Sequence, residues 1–106
     1  MKKLTFTLGL FALAAGIAAA ADANAGHAAY DKSCKRCHGA DGQPVEMIAK
    51  MMKVEMAPLG SAKAQALSDA DIKKIILEGK GKMKATAGMT PAQADDVVAF
   101  VRTLKK

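Results

Sequence analysis

The sequence predicts an all-α domain of about four short helices, on three observations. Apolar residues recur at helical spacing in four stretches, no stretch alternates apolar and polar residues long enough to argue for a strand, and capping residues, glycines and prolines punctuate the helices.

A segment of another kind comes first. Met1-Lys2-Lys3 is a short basic start, Leu4 to Ala21 is an apolar run, and Ala23-Asn24-Ala25 supplies the small-x-small pattern that signal peptidase reads. Residues 1–25 are expected to be a secretory signal cleaved after Ala25, with 26–106 as one exported, periplasmic domain. The rival is an uncleaved anchor, since about 18 apolar residues can cross a bilayer. After cleavage, no stable membrane insertion is expected.

The first predicted helix runs from about Gly26 to Cys37, with Tyr30, Cys34 and Cys37 on one face. Gly39 to Pro44 is turn chemistry and ends it. A second covers about Val45 to Lys53, with Val45, Ile48, Ala49 and Met52 inward, and gives way near Ala57-Pro58-Leu59-Gly60. The third has Ser68 as cap, Asp69 and Asp71 in its positive first turn, Gly79 after its end, and Ile72, Ile75 and Ile76 on its buried face. The fourth opens with the capping box Thr90-Pro91-Ala92-Gln93 and runs to about Leu104, its stripe being Val97, Phe100, Val101 and Leu104.

The 106-residue chain carries a net charge of +6, and losing Lys2, Lys3 and Asp22 to the leader leaves about +5. The core is thin. After the leader the only aromatic residues are Tyr30 and Phe100. Domains of roughly 70 to 80 residues commonly add disulfides, metals or cofactors to such a core. Nucleic-acid binding is not expected, because there is no basic run and there are no stacking aromatics.

The two cysteines stand in Cys34-Lys35-Arg36-Cys37-His38, the C-x-x-C-H pattern of c-type haem attachment. On a helix these positions project from one side, so two thiols reach the two haem vinyl groups while the next residue offers its imidazole to iron. Other chemistries fit less well. A disulfide between residues three apart closes a tiny loop, a thioredoxin-type C-x-x-C belongs beside a βαβ unit, and a zinc site wants four donors where only Cys34, Cys37, His27 and His38 are of the right kind.

With these residues in view, the chain resembles the class I, monohaem bacterial c-type cytochromes over essentially all of its mature length. The likeness rests on Gly26 and Tyr30, the Cys34 to His38 motif with Gly39, Pro58-Leu59-Gly60, the loop Gly79-Lys80-Gly81-Lys82-Met83, and a last helix bearing Phe100. It implies a cytochrome c-like fold around one covalent haem c, its first and last helices crossing where Gly26 and Tyr30 meet Phe100.

Six methionines follow the leader. Met47, Met51 and Met52 sit in a helical stripe and are expected to pack. Met83 lies between glycine-containing stretches where backbone can approach a flat ring, and there the family places its axial methionine. Met89 and Met56 are the alternatives. The family commonly follows this methionine with proline, whereas Lys84 stands here. His27 lies on the motif's own helix and cannot easily reach the opposite haem face, so it is expected to be a surface residue. The resemblance gives the Pro58 carbonyl as partner of the other His38 nitrogen, with Pro44 second.

An iron ligated by His38 and Met83 has no open position, which suits one-electron transfer between ferric and ferrous states and not catalysis. The expected function is therefore a monomeric electron carrier. Lys35, Lys80, Lys82 and Lys84 form a candidate positive rim for redox partners with acidic docking surfaces. Two alternatives remain: the electron-entry subunit of a larger oxidoreductase, or a gas-binding or peroxidatic haem protein if the methionine is labile.

Overall fold

The computed structural model describes residues 20–106, so residues 1–19 of the expected signal segment lie outside it. Helix α1, Ala23–Ser33, begins three residues before the expected start because Asp22 caps it, its carboxylate accepting from the amides of Asn24 and Ala25. The helix also breaks earlier. Cys34 has φ −117° and ψ −32°, and a second piece, α2, follows over Lys35–His38. The two remain nearly continuous, since the Cys34 amide donates to Tyr30 O at 2.8 Å and the His38 amide to Cys34 O at 3.0 Å.

Helix α3, Glu46–Met52, fills the expected second stretch and closes on Lys53 in the left-handed region at φ 57°. Its methionines do not behave alike. Met47 and Met51 are 77% and 68% exposed, against the expectation that they pack, because the helix turns Ile48 and Met52 inward instead. A four-residue helix, α4 (Ala62–Gln65), was not anticipated and is too short to show a period; Ser61 caps it. Helix α5, Asp69–Glu78, has its Ser68 cap and its acidic first turn as expected.

After α5 the chain forms a hairpin of two-residue strands, β1 (Gly79–Lys80) and β2 (Met83–Lys84), antiparallel with Gly79 opposite Lys84 and Lys80 opposite Met83. No alternation foretold it, since two residues hold no period. Gly81, at φ 58°, supplies the positive φ that a two-residue turn requires. The final helix, α6, spans Pro91–Thr103, and both bonds of its capping box are made.

The core is the crossing of α1 and α6 with α5 laid against it: Tyr30, Cys34, Ile76, Ala94, Val97, Val98, Phe100 and Val101 are buried together. Gly26 makes the crossing close. A Cβ there would lie 1.9 Å from the carbonyl oxygen of Asp96. Tyr30 packs tilted on Phe100 with centroids 4.9 Å apart, the expected contact. His27 is exposed, as expected of a surface residue, and its ring also stacks on Phe100 at 4.4 Å and 9° while Nε2 faces Asp31 at 3.5 Å. Of the three isoleucines expected on the buried face of α5, Ile76 is buried and Ile72 and Ile75 are half-buried, and all three line one apolar cavity.

Arg102 locks the C-terminal half. Its guanidinium donates to Asp69 Oδ1 at 2.7 and 2.9 Å, to Leu67 O at 2.7 Å and to Gln65 O at 3.0 Å, bracing α6 on the α4–α5 junction. Gln65 in turn donates to Leu59 O and Val101 O. Among the described residues no helix is long and apolar enough to cross a membrane.

Candidate haem site

The attachment motif sits where α1 passes into α2, and the small kink at Cys34 leaves Cys34, Cys37 and His38 facing one hollow. That hollow has two lobes. The inner, of 140 Å³, is walled by apolar side chains of α5 and α6 and reaches Tyr30, Cys34, His38 and Met83. The outer, of 670 Å³, is lined by Cys34, Cys37 and His38 and by Met52, Met56 and Met83. Cys34, His38 and Met83 are common to both lobes. The size of the outer lobe is that of a cofactor pocket.

The electrostatics disfavour free-thiol chemistry. Burial, with a smaller contribution from Cys37, pushes the Cys34 thiol up to about 11. A redox or nucleophilic cysteine needs the opposite shift, toward thiolate at neutral pH. The two thiols are not joined. Zinc finds no cage either, since among the described residues no three His, Cys, Asp or Glu side chains come together.

His38 is held neutral, because burial lowers its pKa, and a neutral imidazole is the form that ligates iron. Its Nδ1 is buried with no hydrogen-bond partner. The expected bond to Pro58 is therefore not formed, nor one to Pro44; the Pro58 carbonyl accepts instead from the Ser61 amide at 3.0 Å in the turn before α4. A desolvated neutral imidazole, two unpaired thiols one helical turn apart, a thioether lining the same hollow and apolar walls together fit a covalent haem.

Tyr30 anchors the motif from behind. Its hydroxyl donates to Gly39 O at 2.6 Å, pinning the end of α2, and burial pushes its pKa up to about 12, with Cys34, Asp41 and Asp31 adding to the rise. Gly39, at φ 74°, turns the chain sharply there, and a Cβ would lie 2.2 Å from Gln43 O.

Met83 stands on β2, so a hairpin presents it, not a helix. Met89 packs against the core and lines neither lobe, as its place before the cap suggested, whereas Met56 and Met52 line the outer lobe only. Lys35, Lys80, Lys82 and Lys84 are all exposed, and the last three border the outer lobe. Lys82 has a job that the sequence did not disclose: its ammonium donates to Met52 O at 2.9 Å, tying the Met83 hairpin to the end of α3 across the mouth. The apolar rear wall, Leu59, Leu67, Ile72 and Ile75, was also not anticipated as a set.

Comparison with known proteins bears on this arrangement. The profile of the family described as cytochrome c oxidase, cbb3-type, subunit III matches residues 21–101. A solved structure, the KustC0563 c-type cytochrome, is 32% identical, with a TM-score of 0.66 over 76% of this chain and 98% of that one. No curated protein matches. The attachment pentapeptide, the hollow it faces and the likeness in both sequence and fold lead to one assignment: the chain belongs to the class I c-type cytochromes.

Proposed function

We propose that this c-type cytochrome domain is an exported, periplasmic carrier of single electrons, monomeric, with one haem c per chain whose iron His38 and Met83 would hold. Family membership implies the covalent haem, which when bound supplies one-electron exchange between ferric and ferrous iron.

The chain's own residues supply the rest. Cys34 and Cys37 are the thioether anchors, and burial keeps His38 in its neutral, ligating form. The apolar walls from α5 and α6 would exclude water from the inner lobe once the haem fills it. Met83 brings a neutral sulfur, which raises the reduction potential relative to a second imidazole. If His38 and Met83 both hold the iron, no position would be left for a substrate, and the site would suit transfer and not catalysis. Exposed lysines at the outer lobe would attract acidic redox partners.

The observation that carries the ligand assignment is that Met83 shares both lobes with His38 and Cys34. Visible spectra of the oxidised and reduced protein, compared with Met83→Ala, test it. The expected outcome is that a sulfur-to-iron band at the red end is present in the parent and lost in the variant. A band that survives the substitution moves the ligand elsewhere.

The family's description names an oxidase subunit, which favours a second reading of this domain as the electron-entry part of a larger oxidoreductase. Co-purification with an enzyme from the native membrane or periplasm selects that reading; a lone monomer selects the free carrier.

A further inference from the structure

The end of the leader offers several small-x-small triplets, among them Ala19-Ala20-Ala21 and Ala23-Asn24-Ala25, and the local pattern does not choose between them. The fold does. We infer that signal peptidase cuts the Ala21–Asp22 bond, so that the mature protein begins at Asp22 and its new amino group pairs with Asp96. The inference rests on the export reading above and revises the boundary after Ala25.

Asp22 belongs to the folded domain on three counts. Its carboxylate accepts from the Asn24 amide at 2.8 Å and the Ala25 amide at 3.3 Å, capping α1. Its carbonyl accepts from the Gly26 amide at 2.9 Å. Its own nitrogen donates to Asp96 Oδ1 at 2.8 Å, joining the start of α1 to α6. The likeness to the family also begins at residue 21, just before this cap.

Hydrolysis adds one water across the Ala21–Asp22 bond, leaving a carboxylate on the departing leader and an ammonium on Asp22. That ammonium is the same nitrogen that already faces Asp96, so an ordinary amide hydrogen bond becomes a charge-assisted pair. Among the described residues Asp96 forms no other ion pair. A cut after Ala25 has the opposite effect. It removes the cap, the first turn and the link to Asp96, and puts a charged amine on Gly26, a buried residue pressed against the Asp96 backbone. A positive charge at a helix N-terminus without a carboxylate beside it is also opposed by the helix dipole.

The test uses the holoprotein, exported and haem-loaded by a host with the attachment machinery. N-terminal sequencing and intact mass are expected to show Asp22 first and the segment 22–25 retained. A chain beginning at Gly26, or at any residue other than Asp22 after removal of the leader, overturns the inference. A chain still beginning at Met1 overturns the export reading itself. For the pair, acylation of the N-terminal amine at neutral pH is expected to run several-fold faster in Asp96→Asn than in the parent, because an ammonium held by a carboxylate gives up its proton less readily. Equal rates overturn the pairing.

Discussion

Tyr30 shows how much one residue carries. It fills the crossing of α1 and α6, and its hydroxyl holds Gly39 O at the end of the attachment helix. Replacing it with Phe keeps the ring and removes the bond, at an expected cost of about 1 kcal/mol near neutral pH. The pH dependence is more diagnostic. The folded pKa is about 12, above the ordinary 10.0, so the stabilisation is complete below pH 10 and is lost as pH climbs toward 12. The loss is about 1.4 kcal/mol per unit at most. With Cys34 alkylated as proposed, its thiol would no longer titrate, yet burial, the largest cause, remains. Denaturant unfolding of parent and Tyr30→Phe through this range should show the difference between them shrinking as pH rises; a constant difference would remove the tyrosine from that account. Cys34, Cys37 and His38 were legible because their chemistry is local to five residues. The stacking of His27 was not, since its partner Phe100 arrives from the far end of the chain.

At the scale of elements, caps and breakers read well. Ser68, Thr90 with Gln93, and Gly79 each did what their position in the sequence implied, because capping is a contact between residues three apart. The misses were short or depended on distant partners. Helix α4 and the β1–β2 hairpin are too brief for periodicity, and the outward turn of Met47 and Met51 depends on which side of α3 meets the rest of the molecule. The close approach of α1 to α6 yields a sharp test. In Gly26→Ala the new methyl would stand 1.9 Å from Asp96 O, so the helices must separate. The expected cost is about 1–3 kcal/mol, seen as a lowered unfolding midpoint with the haem spectrum retained. An unchanged midpoint would mean that the crossing yields freely.

At the scale of the molecule, three of the four rim lysines border the outer lobe, where an electron would leave or enter. Electron transfer to an acidic partner is expected to slow as salt is raised, and the triple change of Lys35, Lys80 and Lys84 to Gln should flatten that dependence. Stopped-flow rates over a salt series measure both; a rate indifferent to salt would discard steering by this rim. Lys82 is left out of the set because its bond to Met52 O also holds the hairpin, so its loss would mix docking with ligand positioning.

The sequence alone determined the helical class, the caps at Ser68 and Thr90, the C-x-x-C-H pentapeptide and a methionine lying in a glycine-bounded loop, all of them properties of neighbouring residues. Only the tertiary structure decided which side chains from α1, α3, α5, α6 and the hairpin surround one hollow, that Arg102 and Gln65 brace its back, and that Asp22 belongs to the folded domain. Those outcomes depend on contacts between residues up to 74 positions apart, as for Asp22 and Asp96, and a pattern read along the chain holds no record of which distant partner will be met.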